Sequence, residues 1–142
     1  MTATRINHVS VSAQDLDRSE RFYQELFGTR RLPTPDFGHP VRWLQVGDMQ
    51  LHLFNRPDQA PPNHHFAVTV DDFETVFRRA REGGFLDRPE VRRLPDGSAQ
   101  AYLRDPAGNL VEINAPGADS LDPAVIGELV PLDGEEGARL FL

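Results

Sequence analysis

The 142-residue chain contains no cysteine. Disulfides, thiolate metal sites and cysteine nucleophiles are thereby excluded, and the cytoplasm is the expected compartment. Lysine is absent too, since all 15 basic residues are Arg. That removes Schiff-base chemistry and the lysine of phosphate-binding loops. No apolar run approaches the ~18 residues that span a bilayer, and the opening residues Met1 to Ile6 carry no apolar segment of the signal-peptide kind. A membrane partner is not expected. Of the 22 acidic residues, six lie beyond Asn114 in company with a single Arg, so most of the net charge of −7 belongs to the tail. No stripe of positive charge is left for nucleic acid. Hydrophobic residues at 39% and 11 Gly are the usual globular share, enough for the core of one domain.

The pattern inside that domain is β followed by α, twice. Ile6 to Val11 alternates as a half-buried strand, with Val9 and Val11 on one side and His8 and Ser10 on the other. Asp15 offers a helix N-cap, Leu16, Ser19, Phe22, Tyr23 and Leu26 recur at helical spacing, and Gly28 ends the helix. From Thr29 to Phe54 the chain reads as short strands interrupted by Pro33, Pro35 and Pro40, the clearest being Met49 to Phe54. After a polar, proline-rich link the pattern restarts at His65-Phe66-Ala67-Val68-Thr69-Val70. Asp72 caps a second helix carrying Phe73, Val76, Phe77 and Ala80, stopped at Gly83-Gly84. A shift of 57 residues maps His8 onto His65, Val11 onto Val68 and Asp15 onto Asp72, which is the signature of an internal repeat. The second half closes with Ala99 to Arg104, a turn at Asp105-Pro106-Ala107-Gly108-Asn109, and a strand from Leu110 to Asn114.

Strand alternation sorts the polar residues by face. His8 lies with Ser10, His65 with Ala67 and Thr69, Glu112 with Leu110 and Asn114, and Gln50 with His52. In each strand the opposite face is apolar and suited to pack under a helix. Two imidazoles and a carboxylate suit a divalent first-row ion with positions left open for substrate. A lone strand histidine is ordinarily a structural group, but His8 and His65 occupy equivalent places in a registered repeat. His64 points away from His65, and His39, between Gly38 and Pro40, reads as solvent-facing. Phe22, Phe27, Phe73 and Phe77 read as core.

Asn7-His8-Val9, the run from Asp15-Leu16 to Arg21-Phe22-Tyr23-Gln24-Glu25-Leu26-Phe27-Gly28, His65-Phe66-Ala67-Val68, and Tyr102-Leu103-Arg104-Asp105-Pro106-Ala107-Gly108-Asn109-Leu110-Val111-Glu112-Ile113 together resemble the vicinal oxygen chelate superfamily. Its members include glyoxalase I, extradiol dioxygenases, fosfomycin-resistance enzymes, methylmalonyl-CoA epimerase and bleomycin-binding proteins. The resemblance implies an α+β fold of tandem βαβββ modules, residues 5–57 and 63–115, followed by a tail at 116–142 within a single domain. The two modules are expected to form a curved, cupped eight-stranded mixed sheet, with helices near 15–27 and 72–82 on its convex face.

The same resemblance implies metal ligands from the first and last strands of each module, namely His8, His65 and Glu112, with Gln50 or His52 as a fourth ligand or a supporting partner. The ion would be divalent: Fe, Mn, Ni, Zn or Co. Glu112 is the candidate base for proton transfer, Tyr102 a candidate substrate contact, and His52 a candidate catalytic histidine. The implied activity is that of a glyoxalase-like lyase or isomerase stabilising an enolate or oxyanion of a small bidentate oxygen substrate. An extradiol-type dioxygenase with a His-His-Glu iron site, or a bleomycin-resistance-type binding protein without catalysis, stands as the alternative. The fosfomycin branch fits less well without a lysine. A homodimer is implied by single-chain relatives and by the apolar residues of the tail, Ala124, Val125, Ile126, Leu129, Val130 and Leu140-Phe141-Leu142.

Overall fold

A computed structural model describes residues 2–142. The chain divides into two units. The first comprises residues up to His64 together with Asp105–Asn109, and the second His65–Arg104 with Leu110–Leu142.

In the first unit, β1 (His8–Ser12) leads into α1 (Leu16–Phe27), then β2 (Arg30–Leu32), β3 (Val41–Val46) and β4 (Met49–Phe54). The Asp15 side chain accepts from the Arg18 amide at 3.0 Å, and Gly28 ends the helix in the left-handed conformation, φ 62°, returning its N–H to Gln24. The strands form a mixed sheet in the order β1-β4-β3-β2. Its β1–β4 pair is parallel, with His8 opposite Gln50 and Ser10 opposite His52. The β3–β4 hairpin is antiparallel, with Trp43 opposite His52. Leu44, Leu51 and Leu53 are 0–2% exposed on the face covered by α1, whose Phe22 and Tyr23 are buried with them. Arg42 joins sheet and helix at 2.6 Å to both Asp17 and Glu20. The opposite face keeps His8, Gln50, His52 and Trp43.

The turn at 105–109 is organised by one carboxylate. Asp105, 4% exposed, accepts from the amides of Ala107 and Asn109 through Oδ1, and from the Tyr23 hydroxyl and the Asn109 amide side chain through Oδ2, at 2.7–2.9 Å. Asn109 also donates to the Ser12 carbonyl at 2.8 Å.

The second unit repeats the plan. β5 (His65–Thr69), α2 (Phe73–Glu82), β6 (Val91–Arg93), β7 (Ala99–Arg104) and β8 (Leu110–Ala115) follow one another, and the sheet order is β5-β8-β7-β6-β9. β5 and α2 begin 57 residues after β1 and α1, and Asp72 caps Thr75 as Asp15 caps Arg18. The β5–β8 pair is again parallel, but its register places His65 opposite Leu110 and Ala67 opposite Glu112. Val91, Ala101, Leu103, Val111 and Ile113 are no more than 1% exposed, and α2 packs against β8.

The tandem βαβββ arrangement and both helices agree with the sequence. The strand count differs. Instead of one eight-stranded sheet there are two hydrogen-bonded sheets, of four and five strands. The ninth strand, β9 (Leu129–Pro131), comes from the tail and pairs parallel with β6. The tail therefore packs on its own second unit. A short helix α3 (Pro123–Ile126) lies against α2, burying Ile126 to 2% exposure, and the Leu140 amide donates to Asp96 at 2.7 Å. Phe141 remains 94% exposed. No helix among the described residues is long and apolar enough to cross a membrane.

The Tyr23–Asp105 bond is a charge-assisted contact between buried groups. Tyr23→Phe is expected to lower stability by about 1.5–3 kcal/mol in urea unfolding. An unchanged midpoint would show that the turn is held without it.

Candidate metal centre

Each unit gathers polar side chains on the face of its sheet away from its helix. In the first unit the parallel β1–β4 register sets His8 beside Gln50. The His8 Nδ1 is engaged by the Asn7 side-chain oxygen, a bond in which Nδ1 carries the proton and Nε2 keeps its lone pair. The Gln50 Oε1 is 2.8 Å from Nε2 of His52. His52 itself is 6% exposed, with its ring stacked on His8 at 4.3 Å and on Trp43 at 4.3 Å. Burial, and then the nearby His8, push its pKa below the ordinary value, so the ring is neutral near pH 7.

In the second unit His65 and Glu112 meet, with Nε2 and Oε2 3.1 Å apart. Two donors at about 2.1 Å from a common ion and at right angles to one another would be separated by about 3.0 Å, so the pair has the spacing of adjacent ligands. The carboxylate is 4% exposed. Its Oε1 accepts from Asn114 Nδ2 at 2.7 Å, and Gln100 and Tyr102 also hydrogen-bond to it. Burial alone would raise the Glu112 pKa. The bonds from Asn114, Gln100 and Tyr102 and the proximity of His65 outweigh that, and the group lies below its ordinary value, ionised at neutral pH. Tyr102 stands edge-on to His65, ring centroids 5.5 Å apart, with the Arg88 guanidinium 4.9 Å over its own ring. Its hydroxyl is pushed up to about 12 by burial, then by the bond to Glu112 and that group's charge, against the opposing pull of Arg92 and Arg88. Tyr102 is therefore a hydrogen-bond donor throughout the physiological range.

The structure thus brings His8, Gln50 and His52 together in one unit and His65, Tyr102 and Glu112 in the other. Among the described residues, no three His, Asp or Glu side chains gather closely enough to hold an ion by themselves. His64 and His39 are exposed, and the His39 ring lies against Phe37 and Phe54. The sequence reading assigned no role to Trp43, Gln100 or Asn114. Signals for them were present: counting outward from Gly47-Asp48, a two-residue hairpin signature, places Trp43 opposite His52. Counting from the turn at 105–109 likewise places Gln100 opposite Asn114 and Tyr102 opposite Glu112.

The sequence profile of the Glyoxalase/Bleomycin resistance protein/Dioxygenase superfamily matches residues 5–113. The chain belongs to this superfamily. It is 27% identical over 146 residues to Glyoxylase I 4 of Arabidopsis thaliana, covering 93% of this chain and 78% of that protein. It is 25% identical over 133 residues to the mitochondrial methylmalonyl-CoA epimerase of Mus musculus, covering 77% and 71% respectively. Among solved structures, lactoylglutathione lyase from Agrobacterium tumefaciens superposes with a TM-score of 0.62 at 26% identity, over 85% of this chain and all of that one.

The two tyrosines give a pH prediction. Burial and the Asp105 charge raise Tyr23 well above 10.0, and Tyr102 is near 12. The fold favours both protonated forms, so their stabilisation is complete below the ordinary value near 10 and is lost as pH rises through the folded values. An ultraviolet titration should show almost no tyrosinate in the folded protein at pH ~10, and about half ionisation of both residues once it is unfolded. Half ionisation in the folded state at that pH would contradict the buried, hydrogen-bonded placement.

Proposed function

We propose that the protein is a divalent-metal-dependent, glyoxalase-like lyase or isomerase acting on a small substrate with two adjacent oxygen donors. The carrying observation is the His65–Glu112 pair, 3.1 Å apart, with the other carboxylate oxygen already held by Asn114. A bond of that kind pre-orients one oxygen and leaves the second for a ligand or a proton. In this reading His8, His65 and Glu112 hold the ion and Gln50 completes the set, the two half-sites meeting within one chain or across a pair of chains.

A bound divalent ion would supply Lewis acidity toward the two substrate oxygens, stabilising negative charge on them. Glu112 is ionised at neutral pH, and its Oε2, when released from the ion, can accept a proton from the carbon next to a carbonyl and then return it to the adjacent carbon. Tyr102 keeps its proton up to about pH 12 and donates a hydrogen bond to Glu112. Once Glu112 has taken up a proton that bond weakens, and the phenol is then available as a donor toward the developing oxyanion. Asn114 and Gln100 keep the carboxylate oriented while its charge changes. Similarity to Glyoxylase I 4 and to a lactoylglutathione lyase favours this chemistry over ring cleavage or simple sequestration. β1 and β5 stand at the ends of their sheets, where a second copy could add to either edge. A homodimer is the proposed working state, and sedimentation equilibrium at micromolar concentration is expected to give about twice 16.0 kDa.

The test is reconstitution with Ni²⁺, Zn²⁺, Co²⁺ or Fe²⁺ followed by elemental analysis and a hemithioacetal isomerisation assay, with anaerobic Fe²⁺ and a catechol as the competing arm. About one ion per chain is expected for the unaltered protein, with stoichiometric binding lost in His8→Ala and in Glu112→Ala. Unchanged metal content in both variants would place the ion elsewhere. Turnover of the catechol alone would transfer the protein to the dioxygenase branch.

A further inference from the structure

The polar face of the first unit contains three rings in one stack. Trp43 and His52 lie 4.3 Å apart at 6°, and His52 and His8 lie 4.3 Å apart at 16°. The stack follows from two registers, since β3–β4 pairing sets Trp43 opposite His52 and β1–β4 pairing sets His8 one pleat away, opposite Gln50. Both faces of His52 are covered, and its Nε2 is committed to Gln50 Oε1 at 2.8 Å. A histidine so placed has its Nε2 engaged and both ring faces covered, so neither Nε2 nor the faces of the ring meet an ion or a substrate. It touches instead the two residues that the proposed function assigns as ligands in this unit. Trp43 is buttressed by Phe37 at 6.0 Å, and its indole Nε1 is buried without a hydrogen-bond partner, so stacking rather than a polar bond fixes the ring.

Resting on that functional reading, we propose that His52, clamped by Trp43, is a positioning residue that sets the Gln50 amide oxygen and the His8 ring plane in their ligating posture. The chemistry is specific. Only the oxygen of a Gln side chain can accept from an imidazole N–H, so the bond decides which end of the amide faces which way. A carbonyl oxygen has a second lone pair for an ion. The flat contact with His8 adds to the Asn7 bond at Nδ1 a second restraint on the plane of a ring that lies on an exposed edge strand. Supporting contacts of this kind are worth about 10–100-fold in metal affinity.

The experiment separates the two functions of the ring in the full chain. His52→Phe keeps a flat ring between Trp43 and His8 but removes the donor to Gln50, whereas His52→Gln supplies a donor without the ring. Three readouts are taken: Ni²⁺ affinity, Trp43 emission during the titration, and the NMR signals of the Gln50 side-chain amide and the His8 ring in metal-free protein. Trp43 is the sole tryptophan, so emission reports this stack directly. The expected result is a Kd raised about 10–100-fold in His52→Phe, with the Gln50 amide signals collapsing toward solvent-averaged values even without metal. In His52→Gln the Gln50 signals are restored in part and the His8 signals broaden. Nickel quenches Trp43 emission in step with bound metal in the unaltered protein.

Unaltered Gln50 and His8 signals in His52→Phe would overturn the positioning role whether or not metal binds, as would unchanged Ni²⁺ affinity in both variants. Stoichiometric Ni²⁺ binding with no change in Trp43 emission would likewise overturn it, because the ion would then lie away from this stack. If the unaltered protein takes up no metal while its Gln50 signals still depend on His52, the restraint stands and the metal-enzyme reading is the one that fails.

Discussion

Each module closes by laying its first strand parallel to its last, β1 on β4 and β5 on β8. This pairing is the constraint from which the rest follows. A parallel neighbour cannot be reached by a tight turn, so an α-helical crossover must intervene, and α1 and α2 supply it. The helices cover one face of each sheet, which commits Leu44, Leu51 and Leu53 in one unit and Val111 and Ile113 in the other to burial. With a side-chain period of two, every residue beside them on the strand is then delivered to the other face. His8 and Gln50, or Glu112 and Asn114, are where they are because their neighbours are under a helix.

The two units use this delivery differently. In the first unit, rings dominate: a neutral His52 is packed flat between two aromatic planes and its polarity is spent on one amide. In the second, charge dominates. Glu112 is buried, yet three donors and an adjacent imidazole keep it ionised. Desolvation penalises a carboxylate strongly, and only this set of bonds lets a group 4% exposed remain an anion. The same bonds hold Tyr102 protonated. One shared hydrogen bond thus holds a protonated phenol and an ionised carboxylate on neighbouring strands.

Much of this was legible in the sequence because it is local or periodic. Asp15 and Asp72 are caps by residue type and position, the helical spacing of Phe22 and Tyr23 matches their burial, and the 57-residue shift brings β1 onto β5 residue for residue. The faces of His8, His65, Gln50 and Glu112 followed from alternation alone. What alternation does not provide is register. His65 lies opposite Leu110 rather than Glu112, and its contact with the carboxylate is diagonal, a displacement no single-strand pattern contains. Trp43 reads as an ordinary apolar strand residue until the hairpin at Gly47-Asp48 is used to count pairs. The ninth strand was hidden for another reason: Leu129–Pro131 is three residues long and ends in proline, and it forms because the β6 edge is there to receive it.

The Asp105 turn has a consequence for synthesis. Asp105 and Asn109 bond to Tyr23 and Ser12, 82 and 97 residues earlier in the chain, and the first unit counts residues 105–109 as its own. Domains commonly fold as they leave the ribosome, N-terminal part first. Here the N-terminal unit cannot be finished when residue 64 emerges: the Tyr23 hydroxyl has no carboxylate to meet, and the Ser12 carbonyl lacks its amide donor, until Asn109 has been made. The nascent first half must wait, partly assembled, while most of the second is translated. For the same reason, cutting the gene between the repeats would yield an N-terminal fragment missing part of its own interior.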